Sequence, residues 1–405
     1  MPYWSYTHVG LRRENNEDAL LAQADLNLYG VADGMGGHAA GEVASAEAVH
    51  SIARALEPHR ELITRFRNPS NTNERDQLTV YLRQALDAAN QAIHSHARGR
   101  RMGTTFCGGI VNGLHALIAN VGDSRCYLMR SGRLYQITQD HTLVGEQLRQ
   151  GLITEEQAEK SPHRHILLKA LGTEVVVDAD VIPVDLCVGD RLLFCSDGVH
   201  GQVPWSSMGT ILGDGNGQRA VECLIEEANR AGGTDNATAV LLEIDNAAQT
   251  MSTEHLIDPE AKIQALWQLP LFQSLDYAEL MKLVAVTASR SWRAGQQVFA
   301  ENDQGDSLVV VLEGEFKVTS GSRVLAVVPP GDHVGELALM DGAPRSATVV
   351  ANVASKGLVI KRGPFFRLLR RETGMASKLL WHFGAHMATR IRTLTNQLRT
   401  TSSRA

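Results

Sequence analysis

The sequence predicts an α+β protein in two parts: a β-sandwich flanked by helices over residues 1–245, and a smaller β-roll with C-terminal helices over 263–405. Three features predict it. The apolar runs LNLYGVA, ALIANV and RLLFCS each stop just short of an acidic string and read as buried strands, and two helical stretches interrupt the strands. Residues 246–262, NAAQTMSTEHLIDPEAK, are polar and unpatterned and read as a linker. Beyond them, short apolar runs alternate with Gly turns, as in RAGQQVFAENDQGDSLVVVLEGEFKVTSGSRVLAVVPPGD. Helices inserted among many strands fit outer layers on a pair of sheets.

In chain order, the first helix is expected from about Gly41, with Val43, Ala46, Val49, Ile52, Ala53 and Leu56 at helical spacing. A polar segment, EPHRELITRFRNPSNTNERD, separates it from a second helix over 78–96. After the linker and the β-roll, residues 364–400 read as helical apart from Gly374 and Gly384. Leu380, Met387 and Leu394 stand seven apart on that helix, with Ile391 and Leu398 offset. Such a stripe either packs on the β-roll or forms a homodimer seam. The basic cluster Lys361, Arg362, Arg367, Arg370 and Arg371 reads as a solvated face, or as a surface that docks on the acidic first part.

Length and composition set limits. The 405 residues suffice for two to three domains, and 43% hydrophobic with 21% charged is ordinary for a soluble globular chain. The net charge of −6 gives no reason to expect nucleic-acid binding. Residues 1–245 hold 31 Asp/Glu against 21 Lys/Arg, whereas residues 246–405 hold 14 against 18. An acidic first part fits a cation-binding centre, though a solvated acidic surface would give the same balance. The five cysteines, 107, 126, 187, 195 and 223, show no CxxC spacing and read as buried, reduced thiols. No apolar stretch reaches the ~18 residues of a membrane span and no leader pattern is visible, so a cytoplasmic protein without membrane contact is expected.

Five acidic strings carry the chemistry. They are NNEDA around Asp18, VADGMGGH around Asp33, NVGDSR around Asp123, CSDGV around Asp197 and GGTDNATAV around Asp235. Carboxylates avoid burial unless paired or metal-bound. Several of them at the ends of core strands suggest one oxygen-rich cage for hard cations such as Mg²⁺ or Mn²⁺. Singly, each has a plainer explanation: Asp18 as a turn cap, Gly122-Asp123 and Gly189-Asp190 as turns. Asp190 is left as a turn residue, while Asp33, Asp197 and Asp235 together favour a site. That set alone allows a phosphatase, a nuclease or another two-metal hydrolase.

Order narrows the choice. VGLRRENNEDA, VADGMGGHAAGEVAS, MGTTF, NVGDSRCYL, QITQDHTLVGEQLRQGLIT, HILLKALGT, LLFCSDGV and GGTDNATAVLLEI follow one another in this sequence. String by string they resemble the bacterial PPM-type (type 2C) protein Ser/Thr phosphatases, over residues 4–245. The resemblance implies that Asp33 bridges two metal ions, with the Gly34 carbonyl, Asp197 and Asp235 completing their ligands. Glu17 would hold the second metal largely through water, with Asp18 in support. Asp123 and Asp197 would form a third metal site, and Arg13 would grip the substrate phosphate. A planar Arg fork suits a dianionic phosphate, and water shared by two cations becomes hydroxide near neutral pH. Where eukaryotic relatives place a His after Asp-Gly, this chain has Met35, so that position supplies no acid to the leaving oxygen. A metal-bound water is the simpler donor, and His38 is the alternative. Residues 141–165 match the mobile flap that helps select protein substrates.

A second site is legible in VGELALMDGAPRSATV, residues 334–349. Gly335 opens a short apolar turn whose N–H groups can cradle an anion, and Arg345 follows between small residues. Over residues 265–385 the chain resembles cyclic-nucleotide-binding domains. The resemblance implies that Arg345 binds the cyclic phosphate, Glu336 the ribose 2′-OH, Gly335, Leu337 and Ala338 the ligand through their backbones, and Ser346 a phosphate oxygen. Asn302 stands where a turn Gly is usual, and Trp381 and Phe383 compete as the base cap or as core. Ser346 favours cAMP over cGMP. The sequence therefore points to a Mn²⁺- or Mg²⁺-dependent phosphatase acting on phosphorylated proteins and regulated by cyclic nucleotide. A nucleotide-binding pseudophosphatase scaffold is the alternative. A transcription regulator would need a helix-turn-helix that the short remaining tail does not accommodate.

Overall fold

The computed structural model describes residues 1–36, 40–67, 72–97, 102–246 and 259–402. The chain divides into two compact units, Met1–His255 and Leu256–Ala405, the division falling inside the stretch read as linker.

In chain order the first unit contains β1 (Tyr3–His8), β2 (Asp18–Gln23), β3 (Leu28–Gly36), α1 (Ala40–Leu56), α2 (Arg60–Arg65) and α3 (Thr72–Ala97). It continues through β4 (Met102–Thr104), β5 (Phe106–Asn112), β6 (His115–Val121), β7 (Arg125–Arg130), β8 (Arg133–Gln136), α4 (Leu143–Arg149) and α5 (Glu155–Glu159). It closes with β9 (Asp180–Asp185), β10 (Arg191–Cys195), α6 (Asp197–His200), α7 (Trp205–Gly213), α8 (Gly217–Arg230) and β11 (Ala237–Glu243). The strands form two antiparallel sheets, ordered β1-β11-β10-β7-β8 and β2-β3-β5-β6-β9, with β4 added on β3.

Alternation along the strands builds the layers. In β3, Leu28 and Ala32 join Ile52 and Leu56 of α1 and Leu82 and Leu86 of α3 in one apolar cluster. In β10, Leu193 and Cys195 join Leu224 and Ile225 of α8 in another. The intervening Tyr29, Val31, Leu192 and Phe194 are also buried. They face the seam between the sheets, where β2 and β3 lie against β10 and β11.

Several expectations change in detail. Helix α1 starts where expected but turns another face inward: Gly41, Ala44, Ser45, Ala48 and Ser51 are buried with Ile52, Ala53 and Leu56, while Val43 and Ala46 are exposed. Small side chains let the helix lie close to β3 and α3, so size outweighs hydrophobicity on this face. The second helix begins at Thr72, ahead of the apolar pattern that announced it. Residues 141–165 contain α4, capped by Thr142, and α5, opened by a capping box between Thr154 and Gln157. Cys107, Cys126 and Cys195 are buried, whereas Cys187 and Cys223 are partly exposed, and none of the five is in a disulfide.

The second unit contains α9 (Pro259–Gln268), α10 (Tyr277–Val284), β12 (Thr287–Trp292), β13 (Gln297–Phe299), β14 (Ser307–Glu313), β15 (Phe316–Ser320) and β16 (Arg323–Val328). There follow β17 (His333–Val334), α11 (Glu336–Asp341), β18 (Thr348–Ala351), β19 (Ser355–Lys361), α12 (Arg362–Arg371) and α13 (Thr373–Ser402). Two four-stranded sheets, β12-β19-β14-β17 and β13-β18-β15-β16, close on Trp292, Val309, Val311, Phe316, Val328, Val349 and Ala351. Asn302 takes φ +71, so an Asn supplies the left-handed turn for which Gly is usual. Lys282 reaches Glu372 and Lys378 reaches Glu279, each at 2.9 Å, fastening α10 to the α12–α13 junction. Helix α13 runs through Gly374 and Gly384 without a break. Leu380 on it is exposed, and the side chains of Met387, Ile391, Leu394 and Leu398 lie outside the described residues. Of the basic cluster, Arg362 is engaged: its guanidinium donates to the Leu339 and Met340 carbonyls at the end of α11.

Asp190 is more than a turn residue. It and Arg130 are both 2% exposed, and Arg130 Nε donates to Asp190 Oδ1 at 3.0 Å. The Asp190 carboxylate also accepts from the Cys187 amide at 2.7 Å. Asp190→Ala leaves a buried guanidinium without its carboxylate, and losses of about 3–5 kcal/mol follow from that defect. Urea denaturation of the first unit is expected to move to lower midpoint accordingly, and a loss below about 1 kcal/mol would mean that water replaces the pair.

Candidate functional site

Strand direction alone brings five carboxylates to one end of the sandwich. β3, β6 and β10 run towards that end and deliver Asp33, Asp123 and Asp197. β2 and β11 start there, at Asp18 and just after Asp235. Asp18 stands directly opposite Asp33 in the β2–β3 ladder, so both side chains share the face towards the other sheet. Ser196 Oγ donates to Asp18 Oδ2 at 2.8 Å and accepts from the Thr238 amide at 3.0 Å, tying the two sheets at this end.

The backbone around Asp33 is fixed on both sides. Its N–H donates to Thr105 Oγ1 at 3.0 Å, and its carbonyl accepts from the Thr105 amide and from Thr104 Oγ1, each at 2.8 Å. Gly34 is required by space: a Cβ there would lie 2.1 Å from the Gly41 carbonyl oxygen and 2.5 Å from that of Glu17. The Gly34 amide donates to the same Glu17 carbonyl at 3.0 Å, which sets Glu17 beside the cluster. Arg13 is half-exposed, and its Nη2 donates to Asp235 Oδ2 at 2.8 Å. His200 Nε2 lies 2.9 Å from the Asp123 carbonyl oxygen. Burial, then Arg125, pulls His200 down to about 3, so it is neutral and donates from Nε2. His38 lies outside the described residues.

Burial is the dominant electrostatic fact, and crowding of like charge adds to it. Burial pushes Asp33 well above the usual carboxylate range, and Asp18, Asp197, Asp123 and Asp235 push it further. Burial lifts Asp18 to about 7 against hydrogen bonds from Thr238 and Ser196. Asp123 is pushed up to about 7 by burial and by Asp197. Asp197 is raised by burial and by Asp235, with its carboxyl in hydrogen-bonding range of Asp33. Glu17 is raised by burial, with Arg13 pulling the other way.

These residues fit hard divalent cations. Asp18 Oδ1 and Asp197 Oδ1 are buried without a hydrogen-bond partner, two acceptors that a cation would satisfy. The donors are oxygens, as Mg²⁺ and Mn²⁺ prefer. Among the described residues no three His, Cys, Asp or Glu side chains form a group that could hold a metal ion by themselves, so water would have to complete any coordination here.

In the second unit Arg345 is 5% exposed, and no carboxylate pairs with it among the described residues. Burial pulls its pKa down, while Asp306 and Asp303 raise it. The guanidinium lies 3.6 Å from the Phe299 ring centroid, and its Nη2 donates to Ser307 Oγ at 3.1 Å. Gly335 has φ +92, and a Cβ there would stand 2.5 Å from Arg345 Nη1. Glu336, Leu337 and Ala338 form the first turn of α11, with Leu337 exposed, and Ser346 is exposed beside Arg345. A buried cation facing a glycine turn suits a compact anion. Trp381 is 79% exposed and is not core, while Phe383 is partly buried.

Sequence reasoning missed Asn236, Ser196, Thr105, Ser307 and Phe299, which hold the candidate residues in place. Asn236 follows Asp235 in GGTDNATAV, where an amide after Asp reads only as turn chemistry.

Comparison with known proteins agrees with this geometry. The family profile described as Protein phosphatase 2C matches residues 10–226, and that described as Cyclic nucleotide-binding domain matches residues 289–372. A serine/threonine phosphatase stp of Listeria welshimeri is 39% identical over 245 residues, covering 58% of this chain and 93% of the relative. The solved Mycobacterium tuberculosis serine/threonine phosphatase PstP/Ppp is 33% identical with a TM-score of 0.53, covering 60% of this chain and 99% of that one. The PstP catalytic domain solved with 2 manganese ions is 34% identical with a TM-score of 0.51, covering 60% and 98%.

The raised carboxyls predict how the metal-free protein responds to pH. Asp18 and Asp123, at about 7 when folded, and Asp33 and Asp197, raised in the same direction, keep protons that the unfolded chain releases from about pH 4 upward. Their contribution to stability is present below pH 4 and is lost as pH rises towards 7. Neutral His200 acts oppositely below pH ~6.5, one imidazole against four carboxyls. The melting temperature of chelator-treated protein is expected to fall between pH 5 and 7.5, and saturating Mn²⁺ to remove the fall. A metal-free melting temperature that rises over that range contradicts the crowding.

Proposed function

The chain belongs to the Protein phosphatase 2C family, and on that premise we propose that it hydrolyses phosphoserine and phosphothreonine in proteins phosphorylated by Ser/Thr kinases. The observation that carries this reading is the convergence of five carboxylates at one sandwich end, two of them with buried, unpartnered oxygens. Asp33, Asp197, Asp235 and the Gly34 carbonyl would hold two Mn²⁺ or Mg²⁺ ions, with Glu17 and Asp18 in support and Asp123 with Asp197 at a third. Ions bound there supply the positive charge that acidifies water and draws electron density from phosphorus. Arg13, exposed and now paired with Asp235, would turn its planar fork to two oxygens of the substrate phosphate. Thr105, Ser196 and His200 keep the carboxylates in register while this happens.

Cyclic nucleotide, cAMP in preference to cGMP, is the proposed regulator, bound through Arg345, Glu336, Ser346 and the backbones of Gly335, Leu337 and Ala338. Support comes from the buried guanidinium beside Gly335 and from the fusion itself, which puts a nucleotide-binding domain on the same chain as the phosphatase. A cytoplasmic location fits five cysteines that form no disulfide. No helix among the described residues is long and apolar enough to cross a membrane. Homodimerisation through α13 is the proposed assembly.

Asp33→Ala is expected to lower Mn²⁺-dependent phosphopeptide hydrolysis by more than about 100-fold with the fold retained, beyond the ~10–100-fold typical of outer-shell partners. Activity within tenfold of wild type at saturating Mn²⁺ contradicts the metal reading.

For the sensor, calorimetry on Arg345→Ala is expected to show cAMP affinity reduced about 10- to 100-fold, the equivalent of a charge-assisted contact of ~1.5–3 kcal/mol. In the wild type, saturating cAMP is expected to change the dephosphorylation rate or substrate affinity roughly 5- to 100-fold. A wild type that binds cAMP with no change in rate or affinity rules out control of the active site.

A further inference from the structure

We propose that Asn236 is a positioning residue: its side-chain amide locks the loop carrying Arg13 and Glu17 onto the strand end that carries Asp235. The inference rests on the phosphatase reading above and deepens it. Residues 11–15 are all exposed, so packing does little to hold this loop. Asn236 is 4% exposed, and its amide uses both donors and one of the two acceptor positions of its oxygen. Its Oδ1 accepts from the Glu17 N–H at 2.8 Å, and its Nδ2 donates to the Val9 and Asn15 carbonyls, each at 2.9 Å. A flipped amide would set N–H against N–H and oxygen against two carbonyls, so the orientation is fixed by its partners.

One short stretch of backbone therefore serves three functional side chains. The Asn236 N–H donates to Asp235 Oδ1 at 2.9 Å, and the other oxygen of Asp235 receives Arg13. The two donors of Asn236 grip the loop on both sides of Arg13, at residues 9 and 15, while its acceptor holds the residue at which Glu17 enters the cluster. Further ties are present: Leu11 N–H donates to the Gly233 carbonyl at 2.7 Å, Asn16 Nδ2 to Thr7 Oγ1 at 2.9 Å, Arg13 Nε to the Thr234 carbonyl at 3.4 Å and the Gly34 amide to the Glu17 carbonyl at 3.0 Å, and none of these joins both sides of Arg13 to the strand end at once. Loss of the amide leaves the loop attached but loosens the backbone that carries Arg13 and Glu17 relative to Asp235. That defect weakens substrate and metal capture more than it slows the bound complex.

The test uses the full chain, a phosphothreonine peptide and Mn²⁺. Asn236→Ala is expected to raise KM and the half-saturating Mn²⁺ concentration each about tenfold, with kcat at saturation within about threefold. If the amide acts through Arg13, the KM effect of Arg13→Ala shrinks in the Asn236→Ala background, and simple multiplication of the two effects overturns the proposal. In chelator-treated protein, trypsin is expected to cut after Arg12 and Arg13 about tenfold faster in Asn236→Ala than in wild type. Equal cleavage rates also overturn it. Asn236→Ser, which keeps a hydroxyl, serves if the alanine variant does not fold. A wild type without phosphatase activity refutes the functional reading, and the trypsin comparison still decides whether Asn236 clamps the loop.

Discussion

The burial of several carboxylates side by side is the constraint from which the rest of the first unit follows. Asp18, Asp33, Asp123 and Asp197 are crowded and desolvated, and none of the first three keeps an ordinary acid pKa. A chain gains nothing in stability from such an arrangement. It is tolerable because both sheets terminate there, so the strain sits at an edge rather than in the core. The hydrogen bonds of Thr105, Ser196 and His200 then resist the spreading that repulsion would otherwise cause.

The second unit inverts the same logic. Its unpaired buried charge is positive, and an aromatic face, a hydroxyl and a glycine turn surround Arg345 instead of a carboxylate. A nearby carboxylate would satisfy the guanidinium and compete with a phosphate for it. Asp303 and Asp306 act on it through space, while the Asp303 carbonyl holds the Arg345 backbone N–H at 2.8 Å. Each candidate site thus carries one sign of desolvated charge, complementary to a different ligand.

Much of this was legible from sequence because strand-ending acids and glycine turns leave local signatures. Asp33, Asp197 and Asp235 could be read as one site since each follows or precedes an apolar run. Two kinds of fact were not legible. Side-chain size set the buried face of α1, where Ala44, Ala48 and Ser51 displaced Val43, and a hydrophobicity pattern ranks those residues the wrong way. Long-range partners were equally hidden. Asp190 looked like a turn because its partner Arg130 is 60 residues away, and Asn236 looked like a turn because its partners are more than 200 residues away.

The pairing of β1 with β11 has a consequence for the order of synthesis. Tyr3 lies opposite Leu242, so the first strand made must wait for the last of its unit before it has a neighbour in the sheet. Contacts of such sequence separation form slowly and late. On the ribosome, β2, β3, β5 and β6 can assemble against α1 and α3 while β1 and the loop behind it remain unplaced. Arg13, though among the earliest residues translated, would be among the last of the site to arrive, since its partner Asp235 stands just ahead of β11. A nascent chain therefore carries an incomplete cluster until residue 243 emerges, and hydrolytic capacity begins only when the unit is whole.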